Sequence, residues 1–394
     1  MAGHSSRPRV GAARTARKLV YVSIMQLTER VARDWYVDDL VDEGIQVEYW
    51  DVRAIFFRPR EEEGAIMRPY LRRIQDLHEM ERRVRETLAD DVAYVMLISY
   101  TGNFTSVYRL LSRLNRRLLM INWGVLPTNP APAWRKLLMR WSSPGWLLRS
   151  AYFIAKSAVL RRMGAVKPFD VLFAAGRVAL SARGGARKVI PINSVDYDHF
   201  IRVRDAAPVF APAPYAVFLD INLPFQSDLS LSGLRAIEGE QYFRSLNAFF
   251  ARVERTYGVE VVIAAHPKSA YREERFEGRR TLSGVTAELV RDSVFAISHT
   301  STAMSYAVLN AKPLLFVYTD EMRQVYKDNL MQEMANYARY LGASILNADA
   351  DDALPTLKPI DPERYDSYKY DFLTSGESEH ATTREIFTRE IHGR

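Results

Sequence analysis

VEVVIAAHPKS at 259–269 and SVFAISHTSTAMSYAVLNAKPLLFVY at 293–318 decide the fold. In each, a β-branched apolar run stops abruptly on polar residues: His266-Pro267-Lys268 in the first, His299-Thr300-Ser301-Thr302 in the second. A run apolar on both of its faces is what a buried parallel strand requires, and the small-residue stretch after Thr302 reads as the returning helix. Parallel α/β sheets bind ligands beyond the carboxyl ends of their strands, where free N–H groups and hydroxyls hold phosphate. Two such edges about thirty residues apart can therefore grip one nucleotide.

Similar runs recur outward from these two. KLVYVSI (18–24), QVEYWDV (46–52), VAYVMLISY (92–100), RLLMINW (117–123), FDVLFAAG (169–176) and KVIPINS (188–194) read as strands of a first half, with helical patterns at 29–44 and 62–89 between them. DAAPVFAPAP at 205–214 reads as a linker, because its prolines continue neither helix nor strand. YAVFLDI (215–221), a long helix over 239–257, and the two opening stretches then make a second half. The expectation is an α/β chain of two Rossmann-like domains with a cleft between them: a basic, disordered arm at 1–17, a first domain at 18–204, a second at 205–375, and a polar, mobile tail at 376–394.

Composition excludes several function classes. With 394 residues and 48% hydrophobic content the chain can fill two cores. It has no cysteine, which removes disulfides and thiolate metal sites and fits a reducing compartment. No run reaches the roughly eighteen apolar residues of a membrane span, no signal-peptide pattern follows the basic start, and no GxxxxGK[ST] phosphate loop occurs. Asp196-Tyr197-Asp198 and Asp349-Ala350-Asp351 match a DxD metal pattern in form, but they lie at a domain junction and in a polar loop, so no metal is expected there.

The net charge of +7 is unevenly spread. From Val92 to Phe169 there are twelve Lys and Arg and no acidic residue, so the rest of the chain is slightly acidic. Within that stretch, 134–168 mixes Trp134, Trp141 and Trp146 with Arg135, Lys136, Arg140 and Arg149. Such a mixture suits either an interfacial helix on an anionic leaflet or a helical pair packed on its own domain. No nucleic-acid-binding motif accompanies it.

YAVFLDINLPFQSDL at 215–229, the His266-Pro267 dipeptide and SHTSTAMSYAVLNAKPLLF resemble the nucleotide-binding domain of bacterial GT-B glycosyltransferases that use CMP-activated acidic sugars, the sialyltransferase-like and Kdo (3-deoxy-D-manno-oct-2-ulosonic acid) transferases of capsule and O-antigen assembly. VIPINSVDYDHF at 189–200 resembles the segment closing the first domain in such enzymes, and the likeness spans about 189–330. The resemblance implies a peripheral enzyme at the inner face of the cytoplasmic membrane, with a CMP-sugar as substrate, no cofactor, and a lipid-linked glycan as acceptor. His266 would bind or protonate the departing phosphate, with Lys268, His299, Thr300, Ser301 and Thr302 as further donors. Asp220 would be the reacting carboxylate, a general base or a nucleophile; it lacks the acidic pair of the sialyltransferase-like enzymes and so looks closer to the nucleophile of retaining Kdo transferases. Tyr100, Asn103 and Trp123, ending first-domain strands, are candidate acceptor contacts. The rival readings are a CDP-glycerol-type glycerophosphotransferase and a non-catalytic subunit docked at the membrane.

Overall fold

A computed structural model describes residues 18–58, 64–100, 104–124, 144–181, 185–209, 214–225, 235–267, 269, 273–327, 330–350 and 353–392. The expected arm at 1–17 lies outside them.

The first sheet has seven parallel strands in the order β3-β2-β1-β4-β5-β6-β7. They are β1 (Lys18–Ser23), β2 (Gln46–Asp51), β3 (Leu71–Arg73), β4 (Val92–Met96), β5 (Arg117–Asn122), β6 (Val171–Ala175) and β7 (Lys188–Ile192). The second has six, in the order β10-β9-β8-β11-β12-β13: β8 (Tyr215–Leu219), β9 (Glu260–Ala265), β10 (Thr281–Ser283), β11 (Phe295–Ser298), β12 (Leu314–Tyr318) and β13 (Ser344–Asn347). Both orders reverse direction at the first strand, which is the doubly wound pattern and fixes a crevice beside β1 and another beside β8. VAYVM of β4 and YAVFL of β8 are buried at every position, as central parallel strands covered on both faces must be. Two Rossmann-like domains so joined make the GT-B architecture.

Six helices set the geometry that matters below: α1 (Thr105–Arg113), α2 (Pro144–Arg162), α3 (Val195–Val203), α4 (Gly239–Tyr257), α5 (Met304–Leu309) and α6 (Thr383–His392). Ser194 caps α3 by accepting from the Tyr197 N–H at 3.2 Å, and Gly258 ends α4 in the left-handed conformation that favours glycine.

The expected mobile tail is instead part of the first domain. α6 returns from the second domain and buries Phe387 and Ile391 completely in the core that holds Tyr21, Val95 and Phe173. The polar look of 376–394 was misleading because only one face of this helix packs inward, and its exposed face carries the charges. On the way back the chain crosses the carboxyl edge of the first sheet at Lys369–Leu373. There Gly124 and Gly176, both at positive φ, let backbone approach backbone: a Cβ at Gly176 would meet the Asp371 carbonyl carbon at 2.7 Å, and one at Gly124 the Phe372 carbonyl oxygen at 2.7 Å.

Gly176→Ala should therefore lower the melting temperature by at least twice as much as Gly258→Ala. Both sites have positive φ and share the strain of about 1 kcal/mol, but only Gly176 meets a neighbour. Thermal unfolding of the two variants checks this.

Candidate functional site between the two sheet edges

The junction is held by a buried polar hub that follows β7. Asp198 is only 4% exposed, and its carboxylate accepts from Tyr36 Oη at 2.7 Å, Asn193 Nδ2 at 3.0 Å and the Thr383 N–H at 3.0 and 3.1 Å. It thereby fastens the start of α6. Asn193 also donates to the Ala381 carbonyl at 2.6 Å and accepts from Thr374 Oγ1 at 2.6 Å. Asp196, two residues earlier, faces the other way, toward Ser305 and Tyr306 of α5 in the second domain. Tyr306 Oη is shared with His199 Nδ1 at 3.0 Å. The two aspartates of this DxD sequence thus point to opposite partners. Asp349 is exposed and accepts from the Asp320 N–H at 2.7 Å, joining the loop after β13 to the one after β12; Asp351 lies outside the described residues. Among the described residues no group of three or more His, Cys, Asp or Glu is arranged to hold a metal ion.

β8 lies between β9 and β11, so the loops that follow these three strands meet at the crevice of the second sheet. Asp220 ends β8 and is 4% exposed. Its Oδ1 accepts from the Asn222 N–H at 2.9 Å, and its Oδ2 from the His266 N–H at 3.1 Å and from Ser269 Oγ at 2.8 Å. Burial raises its pKa, opposed by these hydrogen bonds. The expectation of a nucleophile meets a physical obstacle here. A nucleophile must present a lone pair to the anomeric carbon, whereas this carboxylate is buried, with Oδ1 held by its own turn and Oδ2 taken by two donors of the loop after β9. Asp220 is placed as the clamp that sets where His266 sits.

The loop after β11 separates into an inner and an outer part. His299 is fully buried; its Nδ1 lies 2.5 Å from the Val317 carbonyl and its Nε2 2.9 Å from Tyr242 Oη. A carbonyl only accepts, so Nδ1 carries the proton and Nε2 accepts from the tyrosine. Burial pushes its pKa down to about 4, which leaves it neutral at pH 7. His299 is thus a core group supporting the loop, not a phosphate donor. Thr300 is also buried. Ser301 is half-buried, and its N–H donates to Ser298 Oγ at 3.1 Å while its Oγ accepts from the Ala303 N–H at 3.3 Å. That leaves the Ser301 hydroxyl hydrogen to donate elsewhere. Thr302 is exposed. The following helix, α5, has six residues, so the hydroxyls rather than a long helix dipole supply what donor strength the loop has. Lys268 lies outside the described residues.

In the first domain the expected acceptor contacts separate in the same way. Tyr100 donates its hydroxyl to the Ser157 carbonyl at 3.0 Å, and the Arg161 guanidinium covers its ring at 4.3 Å, so it packs under α2 rather than facing the cleft. Trp123 is half-buried beside Trp35 at 5.3 Å and Tyr36 at 6.0 Å, forming an aromatic wall next to the hub. Asn103 lies outside the described residues. Sequence reasoning passed over Ser269, Tyr242 and Asn193. Only Ser269 carried a local signal, a serine three residues after a strand-end histidine.

No family model matches the sequence, and no curated protein matches it. Among solved structures the chain is similar to the calicheamicin glycosyltransferase CalG4 (13% identity, 95% of this chain and 98% of that one, TM-score 0.45). It is also similar to the wall teichoic acid polymerase TagF (11% identity, 95% and 88%, TM-score 0.46) and to the UDP-GlcNAc 2-epimerase of Methanocaldococcus jannaschii (9% identity, 94% and 99%, TM-score 0.45).

Asp196 gives a pH test of the domain junction. Burial raises its pKa from 3.8 to about 6, opposed by the nearby Ser305 and Tyr306 hydroxyls. Between these values the unfolded chain loses the proton that the native state keeps, so the group's contribution to stability falls as pH rises and levels off above about 6. The melting temperature of wild type minus that of Asp196→Asn should decline across this window and stay level from there to pH 8. A flat difference would place the carboxyl in water.

Proposed function

We propose that the chain is a GT-B glycosyltransferase that moves an acidic sugar, Kdo in the first instance, from a CMP donor to a lipid-linked surface glycan at the inner face of the cytoplasmic membrane. The observation that carries this reading is the carboxylate of Asp220 joining the loops after β8 and β9 at the crevice beside β11, with the exposed Thr302 loop on its other side. CMP leaves such a donor as a phosphate monoester dianion. The site therefore has to offer hydrogen-bond donors where negative charge grows.

Ser301 and Thr302 offer hydroxyls from one side. His266 offers its imidazole from the other, as a donor to the departing phosphate or as the group that protonates it. Asp220 acts through His266: by accepting its backbone N–H and the Ser269 hydroxyl it holds the loop so that the imidazole is presented in one place. Trp123 supplies an aromatic wall from the first domain on which an acceptor sugar can pack.

Transfer from CMP-Kdo, generated in situ, to short glycan acceptors tests the reading, with intact-protein mass recorded during turnover. Wild type should give product without a sugar adduct on the protein. Asp220→Asn, which loses one acceptor for the loop, should cut kcat/KM by about tenfold to a hundredfold with its fold intact. Ser269→Ala should fall in the same direction, less steeply, with KM for the donor raised. A sugar adduct on Asp220 would make that residue the nucleophile after all. Product from CDP-glycerol in place of CMP-Kdo would make the chain a glycerophosphotransferase, transfer unchanged in Asp220→Asn would remove Asp220 from the site, and no transfer from either donor would leave the non-catalytic reading.

A further inference from the structure

We infer that α2 and the groove at its carboxyl end form a docking surface for an anionic phospholipid bilayer, with the groove taking a lipid phosphate. The inference rests on the peripheral-membrane part of the reading above and not on the identity of the donor.

Tyr152, Val159 and Met163 are 60%, 52% and 75% exposed. At 3.6 residues per turn, positions 152, 159 and 163 lie on one stripe, and Met163 continues the helix by donating its N–H to the Val159 carbonyl at 2.9 Å. Lys156 lies on the same stripe, its ammonium 5.7 Å from the Tyr152 ring. Arg162 is exposed to one side of it, while Arg161, on the opposite face, covers the Tyr100 ring. Large apolar side chains in a row on an exposed helix face, with Lys156 among them and no acidic residue between Val92 and Phe169, suit a surface that is apolar in depth and negative at its head groups. No helix among the described residues is long and apolar enough to cross a membrane, so α2 would lie on the bilayer.

The stripe ends at Met163, and the next two residues, Gly164 and Ala165, line a groove of about 570 Å³. Its other walls carry Ser106, Arg109, Ser112, Arg113 and Lys167. Arg113 pairs with Glu81 at 2.6 Å and Lys167 with Asp170 at 2.8 Å, whereas Arg109 is exposed and has no ion-pair partner among the described residues. With Arg113 and Lys167 already paired, Arg109 is the cation of the lining left for an anion, and the Ser106 and Ser112 hydroxyls stand beside it. The groove's place directly below the apolar stripe is where the phosphate of a lipid would fall when Val159 and Met163 enter the acyl region.

Sedimentation of the full chain with vesicles of phosphatidylcholine, alone or mixed with phosphatidylglycerol, tests the inference. Wild type should sediment with the mixed vesicles, less so as salt rises, and stay in solution with phosphatidylcholine alone. Arg109→Glu and Met163→Asp should each weaken binding by at least the roughly fivefold expected of one interfacial charge. Arg204→Glu, on the exposed end of α3, should not. All three should keep the wild-type melting temperature and, if the transfer reading holds, transfer to a water-soluble acceptor. Equal binding to both kinds of vesicle, binding to neither, variants that bind like wild type, or retention by single-stranded nucleic acid instead would each overturn the inference; vesicle binding without any transfer would remove the proposed reaction and leave the docking surface standing.

Discussion

The carboxylate of Asp198 is the constraint on which the arrangement of the two domains rests. A buried carboxylate is tolerated only when its lone pairs are satisfied, and the donors here come from three separate parts of the chain: Tyr36 near the start, Asn193 at the end of β7, and the Thr383 N–H at the start of the returning helix. Withdrawing any of them leaves charge or an N–H group unpaired in the interior. The start of α6 is an anchor point for the same reason, since a helix N-terminus has free N–H groups and a favourable dipole for a carboxylate. Once α6 is fixed there, Phe387 and Ile391 seal the first core, and the segment before it must cross the sheet edge where only glycines leave room.

That hub also sets how the two crevices face each other. Asp196 looks toward α5, whose preceding loop holds Ser301 and Thr302, while Asp198 looks toward the first domain. One short helix, α3, therefore has contacts to the junction on one side and to α5, the helix after the candidate donor loop, on the other. Arg177 and Tyr340 add a second tie from opposite domains, both reaching Asp371 at 2.8 and 2.6 Å. The cleft is bounded by groups that depend on one another, so a ligand that reorders the loop after β11 has a physical route to the domain junction through Tyr306.

Much of this was legible in the chain, and the failures have identifiable causes. The central strands announced themselves because residues buried on both faces must be apolar throughout, as in YAVFL and VEVVIAA. The edge strands β3, β10 and β13 did not, since Leu71–Arg73 and Thr281–Ser283 are three residues long and partly exposed. α6 escaped notice because its buried face amounts to a few residues among charged ones. The meeting of Asp220 with the His266 loop was anticipated as a shared site, but its manner was not: hydrogen bonds from Asn222, His266 and Ser269 to one carboxylate are a property of three-dimensional register. His299 shows the same limit. Sequence shows a histidine at a strand end, and only the packing of Tyr242 and Val317 around it reveals that both nitrogens are already engaged.

The central claim is that the crevice beside β8 and β11 holds the nucleotide of the donor, and a crystal structure of the chain with CMP tests it most directly. The account predicts the phosphate within about 3 Å of the Ser301 or Thr302 hydroxyl, with the His266 imidazole on its other side and Asp220 still holding the loop. CMP bound elsewhere, or in this crevice with its phosphate turned away from both His266 and the 301–302 hydroxyls, would contradict it.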